Sequence, residues 1–118
     1  DVTFMGYRSD LSEWLQAVDI LAAPAINEGY GRALVEAMLS GAVVIAANSG
    51  GHCEIITNEK NGLLTPPDDP VAMGDALLRV MSDPMLRKNL AHAAYSDVCG
   101  QHSDADYVAS FEKIYSEL

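Results

Sequence analysis

Basic residues are scarce in this sequence. Of its 118 residues only 7 are lysine or arginine, against 17 aspartates and glutamates, so the formal net charge is −10 at pH 7. A surface of this sign repels phosphate backbones and acidic lipid headgroups, which excludes nucleic acid and anionic membranes as partners of this segment. It does not exclude a small anionic ligand, because backbone amides at the start of a helix bind phosphate without basic side chains.

Long apolar runs, targeting signals and metal-ligand clusters are missing as well. No stretch of about 18 apolar residues could span a bilayer, and no basic segment followed by an apolar one marks a signal peptide. The sequence starts at Asp1, inside a strand-like run, so we expect a segment of a longer protein. The two cysteines, Cys53 and Cys99, and the three scattered histidines match no metal-ligand spacing. Two reduced thiols in a cytoplasmic protein are favoured over a disulfide.

Strand-like and helix-like segments alternate over the first two thirds of the chain. Short apolar runs bounded by glycine or proline predict strands, and apolar residues at i, i+3, i+4 spacing predict helices. The predicted strands are 2–5, 19–23, 42–47 and 62–65, and the predicted helical segments are 11–18, 32–40 and a short turn at 53–57. The run 42–47 is apolar on both faces, which is typical of a central parallel strand.

From Pro70 onward the pattern is helical alone. Three apolar stripes follow one another, within 72–81, 86–94 and 107–118. Asp68 and Asp69 are expected to form a solvated turn that caps the first of these helices. We therefore expect one unit over 1–118, with an α/β portion at 1–69 and a helical portion at 70–118. The fold class is α/β, a Rossmann-like and mostly parallel sheet with helices on both faces.

Ligands of such sheets bind outside the carboxyl ends of the strands. This rule points to three loops, which should converge on one edge: 6–8, 25–32 and 48–52. His52, in the last of them, could approach a ligand, but a helix-capping or solvated histidine is the favoured interpretation. Trp14 is predicted to lie in the core rather than to form a lid over a ligand.

The segment from Glu28 to Glu36 carries the chemistry. It follows a strand, contains two glycines and opens a helix, so its first amides have no acceptor within the helix and the helix dipole adds positive charge there. These features predict an anion site suited to a phosphate or diphosphate. Glu36 lies among apolar residues and needs partners. Ligand hydroxyls would serve, and so would Arg32, four residues earlier. Glu28 could reach past the phosphate, or simply be held by the dipole.

The same segment resembles the E-x7-E motif of the family-four glycosyltransferases, which have the two-domain GT-B fold. The order of neighbouring motifs matches as well. It runs through Val2 to Arg8, Asp19 to Ala25, Glu36 to Ala46, Gly50 to Ile56 and Asn61 to Pro67. The resemblance covers nearly the whole chain and implies part of the C-terminal, donor-binding domain of a retaining glycosyltransferase.

The resemblance also implies roles for individual residues. Glu28 would lie beside the donor sugar and its anomeric carbon, and would be the catalytic residue. Glu36 would bind the ribose hydroxyls, while the backbone at the start of the helix would hold the sugar and the diphosphate. The full set of donor-binding residues implied is Gly6, Tyr7 and Arg8 along the base, then Gly29, Tyr30, Gly31 and Arg32, and finally Glu36. Transfer would need no metal and no cofactor, because amides and basic side chains balance the leaving diphosphate.

Two parts of such an enzyme are missing from this segment. The arginine and lysine that the family supplies to the diphosphate come from earlier strand–loop units of the same domain, and the acceptor is bound by an N-terminal domain. The partners implied are a UDP-, GDP- or ADP-type sugar donor, an acceptor that is a glycan, a lipid or a small molecule, and that N-terminal domain. We expect a cytoplasmic protein, with any membrane contact made by the missing domain, and a segment that is inactive by itself.

Two other functions remain open from the residues. One is a nucleotide-sugar epimerase or a phosphorylase-like enzyme of the same fold, which product analysis would distinguish because epimerisation needs no acceptor. The other is a non-catalytic nucleotide-binding module, against which the presence of both Glu28 and Glu36 argues mildly. A receiver-like signalling domain would need clustered acidic residues after an early strand and a lysine after a later one, and the sequence has neither arrangement.

Overall fold

The protein is described by a computed structural model that covers residues 2–4, 6, 11–25 and 32–101. Helices and strands alternate in this part of the chain until two helices end it. In order, the elements are α1 (Leu11–Ala17), β1 (Ile20–Ala23), α2 (Arg32–Leu39), β2 (Val43–Ala47), α3 (His52–Ile55), β3 (Leu63–Thr65), α4 (Pro70–Ser82) and α5 (Pro84–Gln101).

The strands of the described part form one parallel sheet in the order β1-β2-β3. Ile20 pairs with Val43 at the start of the β1–β2 ladder, and Ile45 pairs with Leu63 at the start of the β2–β3 ladder. Every residue of β2 is buried. The apolar run at 42–47 therefore forms the central strand that its pattern predicts.

Side chains that alternate along β2 enter two separate cores, one on each face of the sheet. Val44 and Ala46 pack with α1, α2 and the second half of α5 on one face. Val43 and Ile45 pack with Leu63, α4 and the first half of α5 on the other. α5 thus passes from one face to the other. The prediction of helices on both faces is confirmed.

The last two helices begin in the same way. Asp69 Oδ1 accepts a hydrogen bond from the amide of Ala72 at 2.9 Å, and Pro70 occupies the first turn. Asp83 is the only residue between α4 and α5, and its Oδ1 accepts from the amide of Leu86 at 3.0 Å. Each aspartate satisfies an amide that has no acceptor within its helix. The capping role predicted for Asp69 is confirmed.

Three predictions about the strands, the helices and the core differ from the structure. Residues 2–4 are not a strand, and Phe4 is 95% exposed. A strand needs a neighbour for its backbone hydrogen bonds, and the described strands pair only with one another. The helical turn predicted at 53–57 lies at His52–Ile55. Trp14 is 40% exposed, so it is not a core residue; Leu15, beside it, is buried instead.

The stripe predicted within 107–118 lies outside the described residues. In the described part, no helix is both long enough and apolar enough to cross a membrane.

Candidate functional site

The carboxyl ends of the three strands lie at one edge of the sheet, because the strands are parallel. β1 ends at Ala23, β2 at Ala47 and β3 at Thr65. The amide of Asn48 donates to the carbonyl of Thr65 at 2.7 Å, which holds the ends of β2 and β3 together. The loops that follow β1 and β2 therefore start side by side, as the sequence predicts for them.

The start of α2 lies at this same edge. β1 and β2 are parallel neighbours, so the helix between them must run back from the carboxyl edge to the amino edge. The first amides of α2, from Arg32 onward, have no acceptor within the helix, and the helix dipole places partial positive charge at this end. The backbone here is therefore suited to bind an anion.

The body of α2 is held firmly in the core. Leu34, Val35, Ala37 and Met38 are buried and belong to the core on that face of the sheet. The helix ends where Gly41 adopts a left-handed backbone conformation with φ of 87°, which glycine allows without steric cost. An anchored helix presents its first turn in a fixed position, which an anion site requires.

The structure describes three of the nine residues expected at the donor site. Arg32 and Glu36 lie one turn apart on α2, and both are partly buried. Gly6 has a φ of 67°, a left-handed conformation consistent with the predicted end of an extended run. The other six lie outside the described residues: Tyr7, Arg8, Glu28, Gly29, Tyr30 and Gly31.

His52 holds the loop after β2 in a way that the sequence did not predict. Its ring is only 1% exposed, and Nδ1 lies 2.9 Å from the carbonyl oxygen of Ala47. Because a carbonyl can only accept, Nδ1 carries the proton and donates it. The histidine is therefore neither solvated nor a helix cap; its side chain ties the start of α3 to the end of β2. The two preceding glycines indicated a tight loop but not this bond.

A second bond closes the same loop. The thiol of Cys53 donates to Oδ1 of Asn48 at 2.8 Å. Cys53 is exposed, Cys99 is half-buried, and neither forms a disulfide, as predicted. The loop is thus held at both ends by side chains from the first turn of α3.

Glu59, a carboxylate with a clearly shifted pKa, lies away from this edge. Its two oxygens accept hydrogen bonds from the guanidinium of Arg79, each at 2.6 Å, and these bonds hold the pKa of Glu59 below its ordinary value. Glu59 precedes β3 and therefore lies toward the amino end of that strand. This ion pair joins α4 to the loop before β3 and is no part of the candidate site.

Comparison with known proteins identifies the family. Residues 1–97 match the family described as "Glycosyl transferases group 1". The chain is 31% identical over 109 residues to a D-inositol 3-phosphate glycosyltransferase of Jonesia denitrificans, a match that covers 90% of this chain and 26% of the relative. It thus spans about a quarter of that protein's length.

Solved structures agree with this result. The C-terminal domain of LpcC, a glycosyl transferase group 1 family protein from Francisella tularensis, superposes with a TM-score of 0.72 at 32% identity, covering 85% of this chain and 51% of that one. HepE from Anabaena, solved with UDP-glucose, superposes with a TM-score of 0.77 at 28% identity, covering 98% of this chain and 32% of that one. The expected fold class, the Rossmann-like domain of GT-B glycosyltransferases, is confirmed. The chain belongs to the glycosyl transferases group 1 family.

Proposed function

We propose that this chain supplies the donor site of a retaining glycosyltransferase, which transfers a sugar from a nucleotide-sugar donor to an acceptor. The observation that carries the proposal is the position of α2. A helix anchored in the core presents its first amides, which have no acceptor within the helix, at the carboxyl edge of a parallel sheet. The motif Glu28 to Gly31 directly precedes it in the sequence. Relatives support the donor class, since HepE was solved with UDP-glucose.

The diphosphate of the donor would lie on the first turn of α2. Backbone amides at Arg32 and just before it would donate hydrogen bonds to the phosphate oxygens, and the helix dipole would favour the negative charge. Arg32, the first residue of α2, is partly buried and would add a positive charge at the same end. Glycines at 29 and 31 would let the ligand approach the backbone without meeting a Cβ.

Glu36 would bind the ribose. A carboxylate has only acceptor sites and can take hydrogen bonds from two neighbouring hydroxyls. Glu36 lies on α2 one turn beyond Arg32, and it is partly buried, so ligand hydroxyls would meet it in an environment where charge-assisted bonds are strong. Gly6, Tyr7 and Arg8 would extend the site along the base.

Glu28 would act at the sugar. It precedes the phosphate-binding turn, so it would lie on the far side of the diphosphate from Glu36, beside the anomeric carbon. We propose transfer with retention and without a metal ion. Amides of α2, together with basic side chains from the rest of the enzyme, would balance the charge on the leaving nucleoside diphosphate.

The remaining parts of the proposed enzyme lie outside this segment. An N-terminal domain would bind the acceptor, which is a glycan, a lipid or a small molecule, and would close the cleft over the donor. Both reactants must be held in line for transfer. We propose a cytoplasmic enzyme, and we expect the segment alone to bind donor without transferring sugar.

Two substitutions in the enzyme that contains this segment test the assigned roles. Glu36→Gln should weaken binding of the free nucleoside diphosphate about tenfold to a hundredfold, since a hydrogen bond to a charged group is worth about 1.5–3 kcal/mol. Glu28→Ala should lower kcat and leave that affinity unchanged. Isothermal titration calorimetry measures the affinity, and NMR of the product shows whether the anomeric configuration is retained.

Glu13→Gln is the matched control, because Glu13 is an exposed carboxylate on α1; it should change neither quantity. Equal effects of Glu28→Ala and Glu36→Gln on diphosphate binding would contradict the assignment. Conversion of the donor to its epimer without any acceptor would replace the proposal by the epimerase alternative.

A further inference from the structure

A cavity lies at the carboxyl edge of the sheet, on the face opposite α2. It measures about 490 Å³ and lies between the ends of the three strands and the first turns of α4. Its walls include Pro24, Thr65, Asp69, Met73, Gly74 and Leu77. Met73 and Leu77 pack in the core on the α4 face, whereas α2 packs on the other face. The described walls that α4 provides therefore lie on the face of the sheet opposite the body of α2.

The wall of this cavity contains a polar group that lacks a partner. Thr65 is 6% exposed, and its Oγ1 has no hydrogen-bond partner among the residues that the structure describes. Buried hydroxyls in folded proteins are almost always hydrogen-bonded, and each exception needs an explanation. Rotation about χ1 can bring the hydroxyl to the position that the methyl group occupies without moving the backbone, so a ligand in the cavity could supply the missing partner.

Gly74 is a second unusual feature of the same wall. It lies in the middle of the 13-residue helix α4, where glycine is much less favourable than alanine. No packing contact requires it, because a Cβ built at this position would meet no atom within 4 Å. The side chain that Gly74 lacks would project into free space beside the cavity. Glycine at this position is consistent with a cavity wall on which a larger side chain would reduce the space for a ligand.

We propose that this cavity binds a neutral sugar ring. Proline, methionine and leucine side chains provide apolar walls, and the carboxylates of Asp68 and Asp69 with the Thr65 hydroxyl provide hydrogen-bonding groups. An apolar wall with a few convergent polar groups suits a ring that has an apolar face and peripheral hydroxyls. The two aspartates in the wall disfavour an anionic ligand at this position. The choice of a sugar rests on the proposed function.

The test uses the 118-residue chain with ¹³C-labelled methionine methyl groups. Methyl α-D-glucopyranoside and methyl α-D-mannopyranoside are titrated separately, with and without saturating UDP. Met73 should shift in a saturable manner with a dissociation constant of about 1 mM, as expected for a single ring in an open site. The exposed methyl groups of Met81 and Met85 should not shift, and saturating UDP should leave the titration unchanged.

Two pairs of variants identify the cavity as the site. Thr65→Val should weaken sugar binding at least tenfold and should not lower the melting temperature of the sugar-free chain, because it removes only an unpartnered hydroxyl. Thr65→Ser should bind like the wild type. Gly74→Leu should abolish the Met73 shift by filling the cavity. Gly100→Leu, at a helix glycine that also has no atom within 4 Å of its Cβ position and is not part of this wall, should leave it intact.

The outcomes separate this proposal from the donor site. Absence of a saturable Met73 shift with either glycoside overturns the cavity proposal, and so does a response that Thr65→Val leaves unchanged. Loss of the shift on adding UDP would show that the sugar occupies the nucleotide-sugar site instead. UDP binding itself is followed at the amide of Arg32 in a parallel titration of ¹⁵N-labelled chain, so failure of the donor site is seen independently of the methionine signals.

Discussion

Replacing Asn61 by aspartate should destabilise the loop that leads into β3. The side chain of Asn61 is 4% exposed and makes bonds in two directions. Its Oδ1 accepts from the amide of Thr57 at 2.8 Å, and its Nδ2 donates to Oδ2 of Asp97 on α5 at 3.0 Å and to the carbonyl of Ile55 at 3.3 Å. Asn61 thereby joins the loop after α3 to the long helix that contributes to both cores.

The substitution Asn61→Asp keeps the oxygen that accepts from the amide of Thr57. It replaces the NH₂ group, a donor, by a second oxygen, which can only accept. A carboxylate oxygen would replace the donor 3.0 Å from Asp97 Oδ2. The lost hydrogen bond to a charged group is worth about 1.5–3 kcal/mol. Repulsion between the two carboxylates adds up to about 5 kcal/mol at an effective dielectric constant of about 20, although protonation of one carboxyl limits this addition to about 4 kcal/mol at pH 7.

Because Asp97 is half-buried and water screens part of the repulsion, we expect a total loss of about 3–5 kcal/mol at pH 7. A domain of this size is stabilised by only about 5–15 kcal/mol. The repulsion raises the pKa of the carboxyl pair in the folded state, so stability is regained as the pH falls and one carboxyl takes up a proton. The deficit of Asn61→Asp relative to the wild type should therefore be smaller at pH 5 than at pH 7.

Urea unfolding followed by circular dichroism at both pH values measures these differences. The double variant Asn61→Asp with Asp97→Asn is the control, since it restores one donor facing one carboxylate. It should recover most of the lost free energy of unfolding and leave a deficit of about 0.5–1.5 kcal/mol, because aspartate at position 61 cannot donate to the carbonyl of Ile55. An Asn61→Asp deficit that is independent of pH, or that the second substitution fails to correct, would refute the reasoning.

Three further predictions concern the same fold. Gly62→Ala should lower the free energy of unfolding by about 1–3 kcal/mol, because its Cβ would lie 3.0 Å from both the side chain and the carbonyl oxygen of Val44. Urea unfolding should show no such loss for Gly100→Ala, and equal effects would contradict the packing argument. His52→Leu should destabilise the chain by about 1–3 kcal/mol in the same assay, because the carbonyl of Ala47 loses its donor. His52→Asn should retain most of the stability, and equal losses for the two variants would count against the hydrogen bond. The exposed Glu59–Arg79 pair lowers the folded-state pKa of Glu59. Its small contribution to stability is therefore present above the ordinary pKa of 4.5 and is lost as the pH falls through the lowered value. Glu59→Gln should flatten this part of the stability–pH curve, and an unchanged curve would show that the pair contributes nothing.

The elements that the sequence predicted well are those whose local signals agree with their surroundings. The apolar run at 42–47 is the central strand because both of its faces are covered by helices. Gly41 ends α2, and Asp69 begins α4, through backbone conformations and hydrogen bonds that only neighbouring residues determine. Such signals depend on a few consecutive residues, so the sequence predicts them without knowledge of the tertiary structure.

The failures have a common physical origin in contacts between distant residues. The alternating residues 2–4 have the composition of a strand, but a strand forms only where another strand accepts its hydrogen bonds. The helical spacing of Trp14 predicts a core position, yet Trp14 is exposed whereas Leu15 beside it is buried. His52 is buried because β2 ends beside the start of α3, which no local motif reveals.

The residues at the carboxyl edge differ in the same way: local sequence predicted some of them, and others were found only in the structure. The turn with two glycines before it predicted a helix that starts at Arg32, and the structure places this start at the carboxyl edge. Thr65 and Gly74, in contrast, carry no motif. Their relation to a common cavity depends on how α4 folds back over the end of β3, so only the structure could bring them together.

Titration of the ¹⁵N-labelled chain with UDP tests the central claim, that the first turn of α2 binds the donor diphosphate. We expect the amide signals of Gly29, Gly31 and Arg32 to shift with a dissociation constant of about 1 mM, because the basic side chains expected from the rest of the enzyme do not contribute. Amides on the outer face of α4 should stay unchanged. Shifts confined to α4, or to any surface other than the carboxyl edge around α2, would contradict the assignment of the donor site.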